Sequence, residues 1–297
     1  MNQPSIQTAD VRTQSLDVPG ATLAYDIREP DGESTAPTLL LVGQPMDASG
    51  FNSLAGHFRD RRVVTYDPRG VSRSELADDA AKPTVEDRAD DLHRLISALG
   101  EGPVDITGSS GGAIDGLALV AHYPEQVRTL VAHEPPLAGT LPDREAALAA
   151  AASIQATYER EGMGPAMAKF FVLASLKGPI PADFADQPAP NPADFGLPAS
   201  DDGSRDDPLL GNMISGTHYE PDLDALHAAS TRIVVAAGAE SEGEFAHRAA
   251  LAVANRLGTE ATIFPSHHGG FLGGEFGQQG EPEAFAAKLR EVLSEDG

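Results

Sequence analysis

Residues 104–118 read VDITGSSGGAIDGLA. An apolar run enters a glycine-rich bend, and the bend leads into a second apolar stretch. Ser110 is the central residue of a G-x-S-x-G pattern formed by Gly108, Ser109, Ser110, Gly111 and Gly112. A serine held on a strand-to-helix bend has its hydroxyl lifted clear of the sheet. The helix that follows turns its free N–H groups toward any oxyanion forming there, which suits nucleophilic attack on an acyl carbon. A phosphate cradle is the competing chemistry, but a P-loop needs Lys-Ser or Lys-Thr after its last glycine, and this bend has neither. A short-chain dehydrogenase would need a Tyr-x-x-x-Lys, and none of the five tyrosines has that lysine. The bland alternative is a flexible connection.

The elements that must hold this bend can be read from hydrophobic periodicity. Residues 13–29 alternate around Pro19-Gly20, which predicts an antiparallel hairpin. Short apolar runs recur at 38–42, 63–66, 104–107, 129–132, 233–237 and 261–264. Their nearly continuous apolar character suits strands buried on both faces. Between them lie helical patterns. Residues 84–99 carry Thr84 as N-cap, Asp87 as its capping-box partner, Val85, Ala89, Leu92, Leu95, Ile96 and Leu99 on one face, and Gly100 at the C-terminus. Residues 282–294 form another, opened by Pro282. Alternating strands and helices predict a mainly parallel α/β sheet flanked by helices. From 136 to 228 no strong strand is visible. Residues 143–160 and 164–177 read as helices, and 178–200 hold six prolines. An insertion of that length is usually functional, and a helical cap over a pocket is expected there. Residues 13–135 and 229–297 then form the core, with 1–12 a flexible tail.

Composition narrows the chemistry. The chain of 297 residues has no cysteine, which removes disulfides and thiolate catalysis. Forty-five acidic residues against 21 basic ones give a formal charge of −24. That balance opposes nucleic acid and anionic membranes as partners and leaves a small-molecule substrate. No apolar run approaches the roughly 18 residues of a membrane helix. No basic segment followed by an apolar stretch opens the chain, so a cytoplasmic location is expected. The Asp201, Asp202, Asp206, Asp207 run lacks EF-hand spacing, and no H-E-x-x-H occurs, so no metal is expected.

Three further segments, in order around the bend, resemble the α/β-hydrolase superfamily. LLLVGQPM at 39–46 is similar to its strand-3 turn, with Val42 where the family has histidine. VVTYDPRGVSRSE at 63–75 is similar to its D-x-R-G-x-G-x-S strand exit, with Ser72 replacing the second glycine. FPSHHGGF at 264–271 resembles its terminal histidine loop. The resemblance spans most of the chain. It implies Ser110 as nucleophile and, of the adjacent His267 and His268, His268 as base, with His267 the alternative and standing where the family has glycine. The acid has two candidates. The family's usual position after its seventh strand is Ser241, flanked by Glu240 and Glu242. A second arrangement, that of haloalkane dehalogenases, puts a glutamate about two dozen residues after the nucleophile. Glu134 lies there, beside Pro135 and Pro136, and is preferred, with Glu240 as the alternative. The dehalogenase likeness ends at that point, since those enzymes use an aspartate nucleophile and tryptophans, and this chain has no tryptophan. The resemblance also assigns oxyanion N–H groups to Gln44 and Gly111, a loop-tying role to Asp67 and Arg69, and the cap to a position between the fold's sixth and seventh strands.

The expected activity is that of a serine hydrolase without cofactor, acting by default on a carboxylic ester of a small or medium hydrophobic compound. Thioester, lactone, amide or carbon–carbon cleavage and perhydrolysis would use the same residues. Met46, His218, Phe170 and Phe171 are the expected substrate contacts. The rival class is a ligand-binding protein on a hydrolase scaffold.

Overall fold

The computed structural model describes residues 11–78, 80–100 and 102–295. Among them nine strands form one sheet: β1 (Val11–Val18), β2 (Ala21–Arg28), β3 (Leu39–Gln44), β4 (Val63–Tyr66), β5 (Glu75–Leu76), β6 (Val104–Ser110), β7 (Val127–His133), β8 (Arg232–Gly238) and β9 (Thr262–Phe264). Their order is β1-β2-β4-β3-β6-β7-β8-β9, with the two-residue β5 pairing β2. β1, β2 and β5 are antiparallel additions; from β4 to β9 every pairing is parallel.

The hairpin begins two residues earlier than expected. Val11 pairs with Arg28 and Arg12 with Ile27, so these two residues belong to β1 and not to a tail. The β1–β2 ladder simply continues past the alternating stretch. Residues 1–10, the rest of the expected tail, lie outside the described residues.

The helices are α1 (Asn52–Gly56), α2 (Val85–Leu99), α3 (Gly111–His122), α4 (Arg144–Glu161), α5 (Met163–Ser175), α6 (Met213–Thr217), α7 (Leu223–Ala228), α8 (Phe245–Arg256) and α9 (Pro282–Ser294). α2 starts where its capping box predicts: Asp87 N–H donates to Thr84 Oγ1, and Thr84 N–H donates to the Asp87 carboxylate. Gly100 closes it at φ 69°.

Both faces of the sheet are covered, which explains the continuous apolar runs. On one face Leu40, Val42, Ile106, Ala132 and Val235 meet α2, α3, α7 and α8. On the other, Leu39, Leu41, Val131 and Ala236 meet α1 and α9 through Leu54, Phe285 and Leu289. A third cluster joins α4 and α5 to Phe245 and Ala249 of α8. The Asp143 carboxylate pairs with Arg248, which also donates to Gly178 O at 2.7 Å, so the insertion is pinned to α8. Because β5 takes a number, that insertion falls here between β7 and β8.

The loop after β4 is tied by Asp67, which accepts from Ala48 N–H at 2.9 Å and from Arg73 Nε at 2.7 Å. Arg69 forks onto Asp91. Ser72 adopts φ 50°, a left-handed conformation that a glycine takes without strain.

Candidate active site

Parallel pairing places Gln44 beside Ser110, and His133 beside Ser109. The C-terminal ends of β3, β6 and β7 therefore converge at one rim, where ligands bind in open α/β sheets. Ser110 links β6 to α3 at φ 55° and ψ −124°, well outside ordinary serine conformations. The glycines around it have no alternative. A Cβ on Gly112 would lie 2.2 Å from Val42 O, and one on Gly108 would lie 2.5 Å from Gly112 O. Gly111 opens α3 against Gln44, whose carbonyl would be 2.7 Å from its Cβ. The first N–H groups of a helix have no intrahelical acceptor, so those near Ser110 are available to an anion.

His268 and Glu134 come from loops 134 residues apart and meet at 2.6 Å through Nδ1 and Oε2. Glu134 is fully buried, at φ 49°, in the turn that leaves β7. Its other oxygen accepts from Gly238 N–H at 2.8 Å and from the Ser241 hydroxyl. Burial alone would push this carboxyl up. The bond from His268, the charge of that ring and the Ser241 bond outweigh it and hold Glu134 down to about 2. An ionised Glu134 keeps the proton of neutral His268 on Nδ1, which leaves the Nε2 lone pair open.

Glu240 and His267 are placed otherwise. Glu240 is exposed; its carboxylate accepts from Ser266 Oγ at 3.3 Å, and no hydrogen bond joins it to His268. His267 accepts from Gly269 N–H at Nδ1 and therefore donates from Nε2 to Gln279 O at 3.1 Å. Both of its nitrogens serve the loop. Ser241, at the family's usual acid position, is a buried donor to Glu134. Its sequence signal was the missing carboxylate itself, a serine where an acid is expected.

His133 is fully buried, and both ring nitrogens lack partners among the described residues. It packs edge-on against Phe285 at 5.3 Å and lies 6.1 Å from the His268 ring. Burial drives it down to about 4, although Glu134 beside it pulls the other way. The unfolded chain binds this proton near 6.5, so between about 6.5 and 4 the unfolded state holds more protons than the folded one. Stability is lost as pH falls through that window. His133→Phe removes the term. Its urea stability should drop less than wild type between pH 7 and 4.5, by roughly 2 kcal/mol.

Ser110, Gly111, Gln44, Glu134 and His268 all line one cavity of about 530 Å³. Its far wall comes from the insertion and α8: Phe170, Phe171, Leu173, Phe195, Met213 and Phe245. The Ser110 hydroxyl makes no hydrogen bond among the described residues. Of the four expected substrate contacts, Phe170 and Phe171 line this cavity, and Met46 and His218 do not. Met46 turns into the core against Gly43 and Gly50, and His218 lies exposed just beyond α6. Thr217, one residue earlier, faces the cavity instead. Among the described residues no three His, Asp or Glu side chains cluster as metal ligands, and no helix is long and apolar enough to cross a membrane.

Comparison with known proteins agrees with this architecture. Residues 39–163 match the family model of the alpha/beta hydrolase fold. An uncharacterized hydrolase, YraK of Bacillus subtilis (strain 168), is 31% identical over 275 residues, covering 88% of this chain and 91% of its own. Two solved structures share the fold at 18% identity and a TM-score of 0.64. They are the enol-lactonase from Burkholderia xenovorans LB400, covering 95% of this chain and 100% of that one, and naproxen esterase from Bacillus subtilis, covering 98% and 94%. On the strength of the YraK match and the sheet that carries this rim, the chain belongs to the α/β-hydrolase-fold family and is a hydrolase of that fold.

Proposed function

We propose that this hydrolase cleaves a carboxylic ester of a small or medium hydrophobic compound through an acyl-enzyme on Ser110. His268 Nε2 takes the hydroxyl proton as Ser110 Oγ attacks the acyl carbon. Glu134 holds the ring's tautomer and balances the imidazolium that forms. The N–H groups of Gly111 and Gln44 receive the oxyanion. His268 then protonates the leaving alcohol, and water, activated by the same nitrogen, releases the acid. The Ser110–His268 hydrogen bond closes as substrate fills the cavity, a common difference between free and occupied sites. The insertion acts as the cap, its phenylalanines taking the apolar part of the substrate.

The observation that carries this reading is the bond from His268 to buried Glu134 at the edge of a cavity that also holds Ser110 on its strained bend. A fluorophosphonate probe should label the folded protein at a single serine, mapped by mass spectrometry to Ser110. No adduct on Ser110 would end the acyl-enzyme reading.

A further inference from the structure

The cavity wall contains one cation that the acyl chemistry does not use. Arg88 sits on α2, is 3% exposed, and is among the residues lining the cavity. Its partner is Asp115 on α3, itself fully buried. The pairing is one-sided: Arg88 Nε lies 2.9 Å from both carboxylate oxygens. Nη1 reaches only Pro83 O at 3.4 Å, and Nη2 has no hydrogen-bond partner among the described residues. A guanidinium carries five N–H donors in a fixed fork. Here Asp115 occupies the Nε side, and Nη2, in a residue that lines the cavity, is left without a partner among the described residues.

Taking an arginine out of water costs several kcal/mol unless its donors are satisfied. An ionised Asp115 balances its charge but not its donors. A ligand group that completes the fork needs an acceptor oxygen. That oxygen need not be charged. The Arg88–Asp115 pair is neutral as a unit, the cavity also holds Glu134 and Glu244, and the whole chain carries −24. A carboxylate would enter against that field.

Resting on the ester reading above, we propose that Arg88 is the specificity-determining residue of the cavity. Its outer N–H groups receive an uncharged carbonyl oxygen of the substrate, remote from the bond that Ser110 attacks. The substrate class is therefore an ester bearing a second carbonyl, a ketone or an amide. Asp115 lies four residues into α3 from Gly111, about 6 Å along the helix axis. Arg88 therefore reaches the cavity within a short chain's length of the reacting carbon.

The test uses matched ester pairs, identical except for one ketone oxygen, moved stepwise along the acid in one series and along the alcohol in another. In the wild type at least one keto ester should exceed its plain partner in kcat/KM by about tenfold. Its carboxylate analogue should not. Arg88→Lys keeps a charge for Asp115 but loses the fork; the double variant Arg88→Met with Asp115→Leu leaves no orphaned charge. Both should bring the keto-to-plain ratio close to one, with Ser110 labelling confirming a folded site. No keto preference in either series, a preference for the carboxylate, or a ratio that survives both variants overturns the proposal. If no ester is turned over, the ester reading fails by itself. Arg88 is then judged by calorimetry with Ser110→Ala protein and the corresponding keto and plain anilides. Tighter keto binding that Arg88→Lys abolishes upholds its role, and equal binding ends it.

Discussion

Ser110→Ala is expected to lower kcat by about 10⁶-fold on any ester the wild type hydrolyses. The loss should come without collapse of the fold. Alanine keeps the Cβ, and the hydroxyl it deletes has no hydrogen-bond partner among the described residues, so no polar group is orphaned. What remains is catalysis by binding and oxyanion stabilisation, enough to exceed the water reaction but not to sustain an acyl-enzyme. Ser110→Gly separates chemistry from strain. Serine at φ 55° and ψ −124° is in a region costing on the order of 1–3 kcal/mol, and glycine relieves it. Ser110→Gly should therefore be as inactive as Ser110→Ala and melt at a higher temperature. Retained activity in either variant, measured with the esters that the wild type turns over, would remove Ser110 from the mechanism. Equal melting temperatures would mean that the bend is not strained.

The same bend explains why much of the architecture can be read from the sequence. Steric need fixes Gly108 and Gly112, and burial on both sheet faces fixes the apolar runs of β3, β6, β7 and β8. These causes act over a few residues, so they leave local marks. The site depends on contacts that leave none. Glu134 is preferred over Glu240 in the sequence only by its distance from Ser110 and its proline neighbours; the packing of β7 beside β8 is what brings the first to His268 and leaves the second in solvent. Met46 and His218 lie within two residues of cavity-lining Gln44 and Thr217, yet one turns into the core and the other outward. Nearness along the chain does not set side-chain direction. Arg88 lies on the apolar stripe of α2, three residues after Val85 and four before Leu92, and Asp91 lies at the edge of that stripe, while the partner of each charge is distant in the sequence. Both are buried, because Asp115 and Arg69 meet them there. Periodicity sees the polarity of a residue and not the partner that makes its burial affordable.

The second large effect is expected from Glu134→Gln, which should lower kcat by about 10⁴-fold, whereas Glu240→Gln should change it less than about twofold. The amide is nearly isosteric with the carboxylate, so the contacts at Gly238 and Ser241 can be kept. What is lost is the charge. A glutamine can present its NH₂ to His268 Nδ1, which reverses the tautomer and puts the proton on Nε2, where a base cannot have one. Even with the tautomer intact, no anion balances the imidazolium as Ser110 gives up its proton. Glu240 accepts only a bond from Ser266 at the surface, and its neutralisation removes nothing from the ring. Stability supplies an independent reading. Glu134 is held at about 2 in the folded protein against an ordinary 4.5, so it is ionised in both states above 4.5. Between 4.5 and 2 the unfolded state takes up the proton first, and stability falls with pH. Glu134→Gln lacks that limb: its urea midpoint should decline less than that of wild type between pH 5 and 3, while Glu240→Gln follows the wild type. If Glu240→Gln instead abolished turnover and Glu134→Gln preserved it, the acid would be Glu240, and the bond at 2.6 Å would hold the loop without serving the chemistry.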